Sequence, residues 1–328
     1  MPRFALISAM VLLSLLLRCR PAQPEKATTA VFTPVADTSF YLPVHAGRLF
    51  VEVKGQGTPV LVLHGGPGMN ARYFEPHLSR LLADSLQLVF FDQRNAGKSD
   101  AVTDTTALGM DDWVADIEAI RVAFGWEKVR LLAHSWGCVP ALWYARTHPD
   151  KVEGLILAGS TGPGSQNNSK ASELVRERMG DKFFEELYFI TQSPAFQRGN
   201  PPALDNYYRT LFRASFRTPA LADSLRLEFG PDFLARSRML GYLSRDLNFF
   251  DFTPDLPKFT FPVLVLHGDY DLTPAAQVEA MANALPNGRF VLLPDCGHFA
   301  FIEAPEAFQR EVLAFWRRGI KFPFIGQL

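Results

Sequence analysis

Six short, mainly apolar runs, each spilling into a loop that carries Gly or Asp, limit what this chain can fold into more than any other feature. They are Pro59–His64, Leu86–Phe91, Val129–Ala133, Val152–Ala158, Pro262–His267 and Arg289–Leu293. Runs so short and so continuous suit strands buried on both faces. Stretches with helical spacing separate them: Asn70–Asp84, Asp111–Phe124, Val139–His148 and Pro274–Ala284, with a terminal one from Pro305 to Arg318. Strand then helix, repeated, predicts an α/β fold, a mostly parallel central sheet with helices on both faces. Phe40–Ala46 and Leu49–Val53, on either side of Gly47, alternate instead and predict a hairpin.

The rhythm breaks once. Between about residues 165 and 255 no buried strand run occurs, and helical segments follow one another at Ser172–Met179, Asp181–Thr191, Asn206–Ala214, Pro219–Glu228 and Phe233–Leu243. This predicts a helical cap inserted before the last two strands. The expected division is a leader over 1–19, a linker over 20–38 rich in Pro, Thr and Ala, a core built from 39–164 and 256–328, and a cap over 165–255. With 48% apolar residues and 28 Phe in 328 positions, the chain can fill a large core, and a net charge of −1 gives no basis for binding nucleic acid.

The leader has Arg3 ahead of an apolar run, Phe4–Leu17, too short for a comfortable membrane span, and reads as an export signal. Cys19 stands where a lipidated cysteine would become the mature N-terminus; the alternative is cleavage near Pro21–Gln23, which leaves a soluble secreted protein. A membrane partner is expected only through such a lipid anchor. Cys138 and Cys296 read as small buried hydrophobes rather than as a disulfide.

Chemistry-bearing residues gather where the runs end. Ser135 follows the third run and precedes Trp136-Gly137 and a helical stretch, the strand, sharp turn and helix that raise a serine hydroxyl to where a base can reach it. The turn also aims the N–H of Trp136 at the place where an oxyanion would form. After the first run, His64-Gly65-Gly66-Pro67-Gly68 turns tightly and can bring backbone N–H groups up to a ligand, which reads as the other half of an oxyanion hole. Arg94, in the loop after the second run, reads as a structural hydrogen bonder. The run ending at His267 leads to an acid at Asp269 or Asp271, and the last run leads to His298. Serine, then aspartate, then histidine is the chain order of α/β-hydrolases. His134 abuts the serine but points away from its oxygen; His64 and His267 close strands; His45, His77 and His148 have no comparable setting.

Together, the His64–Gly68 loop, Asp92-Gln93-Arg94, Ser135-Trp136-Gly137, Gly268-Asp269-Tyr270-Asp271 and Cys296-Gly297-His298 resemble the proline iminopeptidase family of α/β-hydrolases over roughly residues 40–318. The chain departs from that pattern at Ala133-His134 before the serine and at Asn95 after Arg94. The resemblance implies an α/β-hydrolase fold, a catalytic set of Ser135, Asp271 and His298, and oxyanion donors at Gly66 and Trp136. It also implies hydrolysis through an acyl-enzyme, with no metal or other cofactor, most simply the release of N-terminal proline or another small residue from peptides. An esterase, lactonase or amidase acting on a small apolar acyl substrate uses the same machinery, and a binding protein that has lost catalysis is the remaining alternative. A peptidase of this kind must pair a free ammonium with carboxylates, for which the cap offers Glu173, Glu177, Asp181, Glu185, Glu186, Asp205, Asp223, Glu228, Asp232 and Asp246.

Overall fold

The computed structural model describes residues 37–165 and 171–317; the expected leader, Cys19 and most of the linker lie outside them. Eight strands form one sheet: β1 (Thr38–Val44), β2 (Gly47–Lys54), β3 (Thr58–Leu63), β4 (Leu86–Phe91), β5 (Val129–His134), β6 (Val152–Ala158), β7 (Val263–Gly268) and β8 (Gly288–Leu293). Their spatial order is β1-β2-β4-β3-β5-β6-β7-β8. The hairpin β1–β2 is antiparallel and joins β4 antiparallel, while every neighbouring pair from β4 and β3 through to β8 is parallel. The inner parallel strands are near-continuously buried because helices cover both faces, whereas β8, at the sheet edge, is mostly half-buried rather than covered on both faces as its sequence run suggests.

Alternation within each strand divides the core in two. Leu61, Leu63, Leu131, Ala133, Leu155, Leu157, Val263 and Val265 face α2 (Met110–Ala123), α3 (Cys138–Thr147) and α10 (Ala275–Asn283). Val60, Val62, Leu132, Ile156, Leu264 and Leu266 face the other way, toward α1 (His77–Leu82), α11 (Ala300–Glu303) and α12 (Pro305–Arg317). A fully buried side chain of this size contributes about 1.5–3 kcal/mol, so both layers hold the sheet firmly beneath its loops.

The chain between β6 and β7 carries α4 (Ala171–Met179), α5 (Asp181–Gln192), α6 (Pro194–Gln197), α7 (Pro201–Arg213), α8 (Phe233–Met239) and α9 (Ser244–Leu247). This insertion rests on the carboxyl-edge loops: Asn95 Nδ2 donates to Arg236 O, Arg236 Nη1 donates to Ser99 O, and His298 N donates to Ser215 O. Three helical expectations need correction. Asn70–Asp84 is not one helix: a 3₁₀ turn, Ala71–Phe74, is separated from α1 by Glu75-Pro76, with Glu75 extended, as the residue before proline prefers. Pro219–Glu228 is a 3₁₀ turn that ends at Ser224. α7 begins at Pro201 rather than Asn206 because Asn200 caps it, accepting from Ala203 N, and proline fits the first helical turn.

Candidate active site

β5 ends in the turn that holds Ser135. The serine sits at φ +56°, and the 3₁₀ turn Ser135–Gly137 leads directly into α3. This left-handed conformation costs a non-glycine residue energy, and the flanking layers hold it in place. The turn also demands a glycine two residues on. A Cβ at Gly137 would stand 2.4 Å from Leu63 O and 2.8 Å from His64 O, where α3 crosses the end of β3.

His298 arrives on the loop after β8 and Asp271 on the loop after β7. His298 Nδ1 donates to Asp271 Oδ2 at 2.8 Å, and Asp271 Oδ1 accepts from Thr273 N at 3.0 Å. Burial opposes charge on His298, but the carboxylate beside it outweighs that effect and carries its pKa above the ordinary histidine value. Burial likewise opposes ionisation of Asp271, yet His298 and the Thr273 N–H hold it well below the ordinary carboxylate range. Asp269 turns elsewhere, accepting from the N–H groups of Asp295 and Cys296, both at 3.1 Å. The fully buried His267 donates from Nε2 to Thr273 O at 2.8 Å, and its Nδ1 lies 3.9 Å from Asp271 Oδ2.

Ser135 and His298 face one cavity of about 70 Å³, walled also by Gly65, Gly66, Met69, Tyr73, His134, Phe212 and Phe299. Among the described residues no hydrogen bond joins Ser135 Oγ to His298; the two groups share the cavity, and bonds of this kind tighten as substrate enters. Gly66 lies on the cavity wall, and Trp136 directly follows Ser135 in the turn. Pro67 is exposed at the rim, and Gly68 packs against Leu240 of the insertion.

Gln93, which the sequence marks only as part of the Asp92-Gln93-Arg94 motif, and Tyr73, to which it assigns no role, tie these loops together with the help of two histidines. Gln93 Oε1 accepts from the indole N–H of Trp136 at 3.0 Å and of Trp113 at 3.2 Å, while its Nε2 donates to His64 O at 2.7 Å. His64 completes the link: its Nε2 accepts from Gln93 N, leaving Nδ1–H for Gly65 O, and burial lowers its pKa to about 4, so it stays neutral. Tyr73 accepts from Gly65 N at 2.5 Å and donates to His134 Nδ1 at 2.8 Å. His134 Nε2–H in turn donates to His298 O at 2.9 Å; burial and the nearby His298 charge bring its pKa down to about 3. Both ring nitrogens of His134 are thus committed, and the side chain connects β5 to the loop bearing His298. The Asp92-Gln93-Arg94 motif was the only signal in the sequence for any of these ties.

Arg94 is structural. Its guanidinium makes a two-pronged pair with Asp116 at 2.6 and 3.0 Å, both side chains 2% exposed, and donates to His45 O at 2.9 Å. Cys138 and Cys296 are free and buried, and burial pushes both thiols up. The cap carboxylates are mostly committed: Asp181 pairs with Arg176, Asp205 with Arg209, Glu228 with Arg72 and Arg226, and Asp232 with Arg236, while Asp246 accepts from Met110 N. None of the expected cap acids lines the cavity beside Ser135.

Residues 58–305 match the family described as the alpha/beta hydrolase fold. The chain is 29% identical to a proline iminopeptidase of Levilactobacillus brevis, over 82% of this chain and 93% of that protein. Among solved structures it is similar to a proline iminopeptidase-related protein of Thermus thermophilus, with 28% identity, a TM-score of 0.63, and 87% and 99% of the two chains covered. It is also similar to a thermophilic esterase from Thermogutta terrifontis, at 25% identity, a TM-score of 0.61, and 87% and 100% coverage. By its fold and by the family matched across most of its length, this chain is a hydrolase that belongs to the α/β-hydrolase family.

Proposed function

We propose that this chain is a serine hydrolase that works through an acyl-enzyme on Ser135, with N-terminal prolyl or similarly small residues of peptides as its substrates. The observation that carries the chemistry is the 2.8 Å bond from His298 Nδ1 to Asp271 Oδ2, on an imidazole that shares its cavity with Ser135. With the proton of Nδ1 committed to Asp271, Nε2 carries the lone pair and serves as general base. It accepts the Ser135 proton as Oγ attacks the substrate carbonyl. Asp271, ionised, stabilises the imidazolium that forms. N–H groups of Gly66 and Trp136 receive the negative charge on the carbonyl oxygen; losing one such donor costs about 10²–10³ in rate. The tetrahedral intermediate collapses, His298 gives its proton to the departing nitrogen or oxygen, and water repeats the sequence on the acyl-enzyme.

The substrate class rests on the proline iminopeptidases among the relatives and on a small cavity whose Met69, Tyr73, Phe212 and Phe299 walls suit a compact apolar ring. One observation favours a second reading, simple esters or amides of small apolar acids: among the described residues no carboxylate lines that cavity to pair with a free ammonium. Proline 2-naphthylamide, its N-acetyl form and p-nitrophenyl acetate separate the two. The peptidase reading expects the free amine to be cleaved at least about tenfold faster than the acetylated form, since blocking the amine leaves the carboxylates that would pair an ammonium without their partner. Equal rates, or activity on the ester alone, give the second reading. Under both, Ser135→Ala abolishes turnover and labelling by a fluorophosphonate while circular dichroism stays unchanged; a variant that still turns over removes Ser135 from its role.

A further inference from the structure

The insertion and the His298 loop meet at Glu303, a residue that no step of the proposed reaction uses. Glu303 closes α11, and its carboxylate lies against two stretches of backbone at once. Oε2 accepts from Gly297 N at 2.7 Å and from Arg217 N at 3.2 Å, and Oε1 accepts from Thr218 N at 2.9 Å. Beside these bonds, His298 N donates to Ser215 O at 2.8 Å. The two stretches cross with no side chain between them. A Cβ at Gly297 would stand 2.3 Å from Ser215 O and 2.9 Å from Glu303 Oε2. The insertion's side of this crossing leads straight to the cavity wall. Ser215 N donates to Phe212 O at 2.8 Å, Phe212 lines the cavity, and Phe216 stacks on Phe299 at 4.6 Å and 9°.

We propose that Glu303 is a positioning residue for His298: its carboxylate gathers N–H groups from both sides of the crossing, so that the insertion and the imidazole-bearing loop are placed as one unit. The proposal rests on the reading of His298 as the general base. An ionised acceptor makes each of these bonds roughly twice as strong as a neutral one would. A glutamine in its place has one oxygen for three donors, and its own N–H groups would oppose at least one of them. The imidazole must stay within hydrogen-bond reach of Ser135 Oγ and keep its bond to Asp271, and small displacements at such a site cost rate steeply. Because Phe212 belongs to the same segment, the shape of the acyl pocket and the position of the base are set together.

The test uses the purified full chain with Glu303→Gln and Glu303→Asp, and the rate of Ser135 labelling by a fluorophosphonate followed from pH 5 to 9. This readout needs no knowledge of the substrate. Glu303→Gln is expected to slow labelling at least about tenfold at temperatures where the protein stays folded. The midpoint of its pH dependence should fall toward about 6.5, the value of a histidine without a carboxylate partner. Glu303→Asp keeps the charge but is one methylene short, and is expected to slow labelling less. If Glu303→Gln does not fold, Glu303→Asp decides alone: slowed labelling supports the proposal and a wild-type rate overturns it. Folded variants that label at the wild-type rate with an unchanged midpoint also overturn it, even if they melt earlier, since Glu303 is then only a structural tie. His298→Ala run in parallel keeps the two readings apart: wild-type labelling in that variant removes His298 as base and leaves the Glu303 bonds unexplained.

Discussion

Two aspartates on the same turn, separated by one residue, have separate work. Asp271 is buried and accepts from His298 and Thr273, whereas Asp269 accepts from the N–H groups of Asp295 and Cys296. Asp271→Asn is therefore expected to lower kcat by about 10³–10⁴, through a lost imidazole tautomer, and Asp269→Asn to change it by less than about tenfold. Steady-state kinetics on both variants checks the ranking, and the reverse order transfers the role to Asp269. The pH dependence follows from the same bond. Nε2 must be unprotonated to accept a proton, and Asp271 raises the His298 pKa. The acid limb of kcat/KM should thus have its midpoint above about 6.5, and Asp271→Asn should move it down. The residue types of this site were legible in the sequence because each closes a buried run. The residue pattern alone left Asp269 and Asp271 open, because both follow the same strand and only side-chain direction separates them; the family resemblance was what pointed to Asp271. Glu303 and Tyr73 were equally silent, since a carboxylate or a phenol looks the same in sequence whether it faces water or buried N–H groups.

At the scale of elements, the site is a set of loops held at fixed spacing by polar ties across strands β3, β4 and β5. Gln93, at the end of β4, binds the loop after β3 through His64 O and the turn after β5 through the Trp136 indole. Gln93→Leu would leave two buried indole N–H groups without an acceptor and a buried carbonyl without its donor. The expected loss is about 2–5 kcal/mol of stability, together with a fall in kcat at temperatures where the protein stays folded. Urea unfolding and kinetics measure the two effects separately. Strand positions were readable because burial on both faces leaves a continuous apolar signature. Helices in the insertion were harder. Pro201 and Pro202 look like breaks yet start α7, and Pro76 breaks what otherwise reads as one helix.

For the whole molecule, one buried ion pair fastens the loop after β4 to α2, and the same guanidinium reaches the turn of the hairpin that β2 pairs to β4. Arg94, in the loop after β4, grips Asp116 on α2 and the carbonyl of His45 in the β1–β2 turn. Asp116→Ala would strand that guanidinium, and a loss of about 3–5 kcal/mol is expected; a urea midpoint close to wild type would show that the pair contributes little. The insertion stands in contrast to this rigid centre. It leaves after β6 and returns before β7, so none of the eight strands comes from it, and it reaches the cores beneath through a few side chains such as Phe216, Leu225, Leu240 and Leu243. Its helices can therefore diverge as a module while the chemistry beneath them stays constant, which is how one scaffold can come to serve peptides in one lineage and esters in another. The crossing at Ser215–Thr218 sets the limit of that freedom. Because those bonds run through backbone atoms, a chimera that imports foreign helices but keeps the backbone path of Ser215–Thr218 is expected to keep the His298 loop seated, whereas one that reroutes this stretch is expected to gain a new pocket and to lose fluorophosphonate labelling of Ser135.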